Sequence, residues 1–167
     1  MSYWANRTQA KYYQKALSFA RSYARNGGSI IDVGCADCEY ITWFTWFNTK
    51  YTIDLRHRRK LRGVIDITGN FMDCDLGSFD LALCLQVIEH LSDPVSFCRK
   101  LFKIGQVVII SVPYKWSYGY GQYGHLQDPI DMPKLLSWTK YKPKDYSIIK
   151  DRMERLVAVF DNRVKIF

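Results

Sequence analysis

Residues 29–40, with the sequence SIIDVGCADCEY, constrain the fold of this chain more than any other stretch. A short apolar run leads into Asp32, Val33 and Gly34, and small or polar residues then precede a helix-compatible segment. This order predicts a strand, a tight turn and a helix. In an open α/β sheet such a turn lies at the carboxyl end of a central strand, where a ligand meets backbone N–H groups and the positive end of a helix dipole. We therefore expect the main binding site at this turn.

Two further segments support a nucleoside-type ligand at that turn. Residues 51–54 (YTID) predict a second strand that ends in Asp54, twenty residues after Gly34. A carboxylate there accepts hydrogen bonds from both hydroxyls of an unphosphorylated ribose. Residues 79–85 (FDLALCL) predict a strand buried on both faces, and they lead into residues 86–91 (QVIEHL). The chain thus predicts a mostly parallel sheet with an adenosine-type ligand at its edge.

Together these segments resemble the class I S-adenosylmethionine-dependent methyltransferases. Residues 32–34 (DVG) are similar to the first motif of that family, and Asp54 is similar to the acid that ends its second strand. Residues 80–94 resemble its segment with Glu-His-hydrophobic and Asp-Pro sequences, and residues 109–113 (IISVP) resemble the strand that follows. The resemblance covers almost the whole chain, and EHLSDP is its most specific part.

The resemblance implies a fold, a cofactor and an activity. The implied fold is a Rossmann-like, doubly wound α/β fold whose mostly parallel, seven-stranded sheet has an antiparallel C-terminal edge. The implied activity is methyl transfer from S-adenosylmethionine to an oxygen or nitrogen nucleophile of a small polar acceptor. The residues expected to bind the cofactor follow the first four strands and are Asp32, Gly34, Cys35, Ala36, Asp54, Leu55, Asp66, Ile67, Leu85 and Gln86.

The turn departs from the family pattern, which has glycines where this chain has Ala36 and Cys38. Glycine permits positive φ and lets a ligand approach without a Cβ in the way. We still expect the turn to bind the cofactor. If the Cβ of Ala36 crowds the ligand, Ala36→Gly should tighten binding while lowering the stability by up to about 1 kcal/mol, because glycine loosens the unfolded chain.

The composition favours one globular domain of 167 residues, without a membrane span. The five cysteines have no framework spacing, so a reducing, cytoplasmic location is expected. No metal is expected, because Cys35 and Cys38 lack two further ligands at compact spacing. The oligomeric state is left open.

The expected regions are an N-terminal helix region 1–28, a cofactor-binding core 29–112, an acceptor lid 113–130, and a C-terminal helix and strand hairpin 131–167.

Three alternative functions share parts of this pattern. The net charge of +8 and the basic residues 56–62 (RHRRKLR) make RNA an alternative partner, but this run has no interleaved aromatics and RNA is not favoured. A nicotinamide-dependent oxidoreductase would use the same turn and Asp54, yet the Gly-x-Gly-x-x-Gly pattern is absent. A redox pair of Cys35 and Cys38 would leave residues 86–91 without a role.

Periodicity and turn residues place the remaining elements. An amphipathic helix is predicted over residues 8–25, before the Asn-Gly-Gly sequence of 26–28. The uniformly apolar residues 40–47 predict a buried crossover helix. Asp93 and Pro94 begin another helix as an acidic cap and a first-turn proline. The other predicted elements are strands at 63–66, 107–112, 146–150 and 156–160, and a short helix from Asp131 to about residue 138.

Residues 113–130 form a long segment without predicted regular structure, which inside a domain is usually functional or disordered. Its many aromatic residues argue against disorder and favour an acceptor lid at the carboxyl end of the sheet. Tyr114, Trp116 and Tyr123 are the predicted acceptor-binding residues. His125 is the candidate general base, because the pKa of histidine suits proton removal near neutral pH.

Two further groups have both a structural and a functional interpretation. Glu89 and His90 either tie down the turn after the fourth strand or face the acceptor or the methionine part of the cofactor. Four N-terminal aromatic residues either pack on the sheet or cover the sulfonium, whose positive charge is attracted to aromatic faces. These four are Tyr3, Trp4, Tyr12 and Tyr13.

Overall fold

The computed structural model describes residues 4–5, 7–56, 60–117 and 124–163, in which seven strands form one sheet. The strand order is β3-β2-β1-β4-β5-β7-β6, and β7 alone runs antiparallel to the other six strands. This arrangement confirms the predicted fold class. The strands are β1 Ser29–Val33, β2 Thr49–Asp54, β3 Ile65–Thr68, β4 Phe79–Leu85, β5 Gly105–Pro113, β6 Asp145–Lys150 and β7 Glu154–Asp161.

Among the described residues, three α-helices cover the two faces of this sheet. Helix α1 (Lys11–Tyr23) packs on one face, and α2 (Pro94–Ile104) and α3 (Met132–Thr139) pack on the other. Residues 81–84 of β4 alternate between the two hydrophobic clusters, because successive strand side chains point to opposite faces. The sheet is therefore doubly wound. No helix among the described residues is long and apolar enough to cross a bilayer.

The helices after β4 and β5 begin at the residues that the sequence predicts. The Asp93 carboxylate accepts a hydrogen bond from the backbone N–H of Ser96 at 3.0 Å, and Pro94 occupies the first turn of α2. The Asp131 carboxylate accepts from the backbone N–H of Lys134 at 2.9 Å and caps α3 in the same way. Both carboxylates satisfy N–H groups that have no partner within the helix, so the start of each helix is encoded locally.

The prediction of an α-helix over residues 40–47 is wrong. Only Tyr40–Trp43 form a single 3₁₀ turn, and the chain then continues in irregular turns. Threonine, isoleucine and aromatic residues have low helix propensity, and here the apolar side chains of the run pack into or against the core without a helix. The Trp46 indole N–H, for example, donates to the backbone carbonyl of Ala24 at 3.0 Å. The apolar run was correctly predicted to be largely buried but not to be helical.

Strand β3 lies two residues later than the predicted strand at 63–66. Gly63 has a φ of +73°, and the backbone N–H of Val64 donates to the carbonyl three residues earlier, so this part of the chain is a turn. The shift matters for Asp66, which lies within Ile65–Thr68 instead of at the carboxyl end of the strand.

Candidate active site

A cavity of about 470 Å³ lies at the carboxyl ends of β1, β2 and β4. Strand β1 sits between β2 and β4, so the direction of the chain across the sheet reverses here, as it does at ligand sites of open α/β sheets. The volume is typical of small-molecule sites. Eight of the ten residues that the sequence predicts to bind the cofactor line the cavity, namely Asp32, Gly34, Cys35, Ala36, Asp54, Leu55, Leu85 and Gln86.

Gly34 allows the chain to turn tightly at the end of β1. Its φ is +77°, and its N–H donates to the carbonyl of Ile53 in the neighbouring strand at 2.8 Å. A Cβ at this position would lie 2.5 Å from the Cγ2 atom of Val87. Both the dihedral angle and the lack of space require glycine here, so this part of the family pattern is kept for a physical reason.

The Asp54 carboxylate is held at the edge of the cavity by two backbone groups. Its Oδ2 accepts from the N–H of Ala36 at 2.9 Å, and its Oδ1 accepts from the N–H of Arg56 at 3.1 Å. An ionised carboxylate has about four acceptor positions, so two remain for a ligand. The acid thus joins the ends of β1 and β2 and keeps acceptor capacity towards the cavity.

Ala36 adopts a left-handed conformation with a φ of +48°. This conformation strains a non-glycine residue by about 1–2 kcal/mol. Glycine would remove this strain, and it would lower the stability by only roughly 0.4–1 kcal/mol through the greater entropy of the unfolded chain. We therefore expect Ala36→Gly to stabilise the protein by about 0.5–1 kcal/mol and to raise its Tm by about 1–4 °C, which reverses the sign expected from the sequence. Thermal unfolding measures this shift.

Ala20→Gly is the matched control for that experiment. Ala20 lies within α1 and is fully buried, so glycine there should lower the stability by at least about 1 kcal/mol. A lower Tm for Ala36→Gly as well would show that the left-handed conformation of Ala36 carries no strain.

An aromatic cluster closes the side of the cavity next to the turn. The Tyr40 hydroxyl donates to the buried Asp32 carboxylate at 3.0 Å, and the ring of Tyr13 lies 4.6 Å from the ring of Tyr40. Tyr13 lines the cavity, whereas Trp4 and Tyr12 pack against Tyr13 behind it. Tyr3 lies outside the described residues. Tyr13 is thus the N-terminal aromatic placed to face a ligand.

The five cysteines are free, and Cys35 and Cys38 are both buried. Burial raises the pKa of the Cys38 thiol to about 12, and its Sγ lies 3.3 Å from the Tyr13 hydroxyl. A buried thiol with a raised pKa is a poor nucleophile, so Cys38 is not itself an activated redox cysteine.

Beyond β4, the chain brings two distant histidines into contact. His90 lines the cavity, and its ring lies 4.7 Å from the ring of His125. The Nδ1 atom of His125 is 2.7 Å from the Oδ2 atom of the buried Asp128. The backbone carbonyl of Glu89 accepts hydrogen bonds from the N–H groups of residues 126 and 127 and so fixes this segment beside the turn. His125 therefore lies next to the cavity lining but is not part of it.

The Glu89 side chain is fully buried between these groups. Neither of its carboxyl oxygens has a hydrogen-bond partner among the described residues. The pKa of this carboxyl is raised to about 8, mainly by burial and also by the nearby Asp128, while the residue's own backbone N–H and Arg155 act in the opposite direction. A buried carboxyl without a described partner is costly in a fold, and no described hydrogen bond of its oxygens ties down the turn.

The sequence of residues 3–141 matches the protein family described as methyltransferase domain. The chain belongs to this family. The match covers the turn, Asp54 and the segment after β4, and it confirms the resemblance found from the sequence motifs. No curated protein matches the chain in sequence.

Solved structures with low sequence identity share the fold of this methyltransferase domain. The 1,6-didemethyltoxoflavin-N1-methyltransferase of Burkholderia thailandensis, with bound 1,6-didemethyltoxoflavin and S-adenosylhomocysteine, has a TM-score of 0.75 at 16% identity, over 91% of this chain and 78% of that chain. The N-methyltransferase NodS of Bradyrhizobium japonicum WM9, in complex with S-adenosylhomocysteine, has a TM-score of 0.76 at 11% identity, over 92% and 87%. The methyltransferase domain of bacterial CtHen1-CN has a TM-score of 0.66 at 19% identity, over 93% and 98%.

One side of the methyltransferase cavity is formed by residues that the sequence analysis missed. Residues 69–72 line it after β3, whereas Asp66 and Ile67 are not part of the lining. Asp66 instead accepts a hydrogen bond from the Thr52 hydroxyl at 2.5 Å. The N–H of Gly69 donates to the carbonyl of Asp54 at 2.9 Å and brings the segment to the cavity. The signal in the sequence was the Gly-Asn pair, which is typical of a turn directly after a strand.

The described part of the predicted lid is anchored to β7. The N–H of Tyr114 and the indole N–H of Trp116 both donate to the Glu154 carbonyl, at 3.0 and 2.8 Å. The Trp116 ring stacks on the ring of His125 at 5.6 Å. Neither Tyr114 nor Trp116 lines the cavity, and Tyr123 lies outside the described residues.

Arg155, which the sequence analysis did not single out, links this lid to the methyltransferase cavity. Its Nε donates to the side-chain oxygen of Gln86 at 3.1 Å, and its guanidinium lies 5.4 Å from the Trp116 ring and 5.0 Å from the Tyr12 ring. Stacking between two aromatic rings holds a guanidinium in one orientation. Gln86 lines the cavity, so Arg155 fixes one wall of the site from behind.

Proposed function

We propose that this chain is a methyltransferase that uses S-adenosylmethionine and transfers its methyl group to an oxygen or nitrogen atom of a small polar acceptor. The observation that carries the proposal is the Asp54 carboxylate, which is fixed beside the β1 turn in a cavity of about 470 Å³. Membership of the methyltransferase domain family and the S-adenosylhomocysteine bound in two proteins of the same fold support it.

The residues of the cavity fit this cofactor. We propose that Asp54 binds the ribose hydroxyls, that Gly34 allows the ligand to lie close to the backbone, and that Tyr13 covers the sulfonium side. Asp32, Cys35, Ala36, Leu55, Leu85 and Gln86 complete the proposed cofactor site. Asp66 and Ile67 remain sequence-based predictions for the adenine.

Methyl transfer needs few catalytic groups. When bound, the cofactor supplies a methyl group on a positively charged sulfur. The acceptor nucleophile would take this methyl group, and S-adenosylhomocysteine would remain among the residues of the cavity. The chain contributes mainly by aligning the reactants and excluding water, which is the role we assign to the aromatic cluster around Tyr13 and Tyr40.

We propose that the acceptor binds on the side of His90 and His125. His125 is the proposed general base, since the Asp128 carboxylate holds its Nδ1–H and so orients the ring with Nε2 unprotonated. Trp116 stacks on this ring, and Tyr114, Trp116 and Tyr123 stay the predicted acceptor-binding residues. RNA bound by the basic residues 56–62 stays the alternative acceptor. Residues 57–59 of that run lie outside the described residues.

A thermal-shift comparison tests the proposed function. S-adenosylhomocysteine at about 100 times its Kd should raise the free energy of unfolding by about 2.7 kcal/mol, because a ligand that binds only the native state stabilises it. For a chain of this size, that corresponds to a Tm increase of roughly 5–10 °C. NAD and a short RNA should cause no increase. A shift with NAD alone, or with RNA alone, would replace the proposal by the corresponding alternative.

A further inference from the structure

Glu89, His90 and His125 form a cluster of potential metal ligands beside the cavity. One ligand atom from each of the three side chains lies within 4.8 Å of the other two, among the described residues. Around an ion with bond lengths near 2.05 Å such atoms stand roughly 3.3 Å apart, so small side-chain rotations would close the cluster on an ion. His90 and Glu89 follow β4, whereas His125 comes from the segment before α3.

Both imidazoles are oriented by hydrogen bonds of the kind that metal-binding histidines make. The Nδ1 atom of His125 lies 2.7 Å from the Asp128 carboxylate, and the Nδ1 atom of His90 lies 3.3 Å from the carbonyl oxygen of Gly124. Both partners accept hydrogen bonds, so each ring carries its proton on Nδ1 and presents Nε2 as the basic nitrogen. A histidine ligand usually donates its second N–H to a carboxylate or a backbone carbonyl in this way.

The third ligand is a carboxyl group that the rest of the fold leaves unsatisfied. Glu89 is fully buried, and neither of its oxygens has a hydrogen-bond partner among the described residues. Asp128, which orients His125, is also buried and carries a second oxygen without a described partner. Two buried carboxyl groups at one place are stabilised by a cation between or beside them.

We propose that Glu89, His90 and His125 bind a divalent transition-metal ion at the acceptor side of the cavity. Two imidazole nitrogens and one carboxylate oxygen suit Mn²⁺, Fe²⁺, Co²⁺ and Zn²⁺, whereas Mg²⁺ and Ca²⁺ prefer oxygen ligands throughout. Three protein ligands leave coordination positions open for a substrate atom. The sequence analysis expected no metal because it considered only ligands close to Cys35 and Cys38, whereas His125 lies 35 residues beyond His90.

The catalytic role of this ion rests on the proposed methyltransferase function, although its binding does not. A coordinated acceptor hydroxyl loses its proton more readily, because the cation stabilises the negative oxygen. The O–H bond breaks and the proton passes to solvent. The oxygen then forms the bond to the methyl carbon, while the carbon–sulfur bond breaks and leaves its electron pair on sulfur. In this form of the enzyme His125 is a ligand and not the base.

Cobalt absorption tests the binding, since Co²⁺ is a coloured substitute for colourless ions. The purified chain, treated with a chelator and then dialysed, should bind one Co²⁺ and show visible d–d bands. Glu89→Gln and His125→Ala should each weaken binding at least tenfold, and Asp128→Asn should weaken it roughly 10–100-fold through the orientation of His125. Cys74→Ala, which removes a partly exposed thiol, should leave it unchanged.

Several outcomes would overturn the metal site. The first is the absence of stoichiometric Co²⁺ binding, and the second is an equal affinity for Co²⁺ in wild type and both ligand variants. The third is the intense near-ultraviolet charge-transfer absorption of cobalt bound to thiolates. Circular dichroism of each variant confirms that it is folded, and Glu89→Gln preserves the shape of the side chain.

The affinity for S-adenosylhomocysteine is measured on the same samples. Cobalt binding without cofactor binding would refute the proposed function and keep the metal site, whereas the reverse result would refute the metal site alone.

Discussion

Replacing His125 by alanine is expected to lower turnover by roughly 10²–10⁴-fold while leaving the affinity for S-adenosylhomocysteine nearly unchanged. In both proposals the imidazole promotes loss of the acceptor proton, either as a base or as a metal ligand, and such an interaction matters in the transition state. His125 does not line the cavity, so we expect cofactor binding not to depend on it. Steady-state kinetics with an identified acceptor and calorimetry with S-adenosylhomocysteine separate the two effects.

Leu126→Ala is the matched control for this variant, since Leu126 is the next residue and is exposed. It should change turnover less than twofold. Asp128→Asn should reduce turnover as well, and the double variant with His125→Ala should be no worse than His125→Ala, because the two residues act as a unit. Full activity of His125→Ala would remove the histidine from catalysis, and loss of cofactor binding would show a structural role. Wild type that keeps its activity after chelation would identify His125 as a base and not a ligand.

The parts of the fold that the sequence predicted are those encoded by short segments. Strand β4 has the predicted bounds, 79–85, because a continuous apolar run between turn residues leaves few alternatives. Helix α2 begins at the predicted residues because Asp93 and Pro94 act within one turn. Residues 40–47 were mistaken for a helix because an apolar run carries no period, and only the tertiary packing of its aromatic side chains decides its conformation.

The site was predictable where one turn builds it and unpredictable where distant segments meet. Gly34 and Asp54 carry recognisable turn and strand-end signals, and both line the cavity. Arg155 reaches the site only because β7 inserts between β5 and β6, an order that no local pattern specifies. The contact between His90 and His125 depends on the carbonyl of Glu89, which holds a segment from after β5 beside the turn after β4.

The second large effect concerns Asp54, which makes local contacts in the turn and is also proposed to contact the ligand. Asp54→Ala should weaken the binding of S-adenosylhomocysteine by roughly 1.5–3 kcal/mol, because hydrogen bonds from the ribose to a charged group are lost. This corresponds to a loss of affinity of about ten- to over a hundredfold. The side chain also accepts from the N–H groups of Ala36 and Arg56, so part of the loss could come from a loosened turn. Asp54→Asn, which keeps the shape and one acceptor oxygen, should therefore fall between wild type and Asp54→Ala.

Calorimetry on a small set of variants decides whether Asp54 contacts the ligand or only supports the turn. If the acid only supports the turn, Asp54→Ala lowers the Tm without ligand, and its affinity loss disappears at a temperature well below that Tm. If it binds the ribose, the affinity loss persists there, as expected. Asp75→Ala removes an exposed charge outside the cavity and should change affinity less than twofold. Asp66→Ala tests the sequence-based prediction that Asp66 contacts the adenine. Because Asp66 lies outside the cavity lining, we expect little change in affinity. Equal affinities of wild type and Asp54→Ala would remove the ribose contact, and with it the observation on which the proposed cofactor site depends.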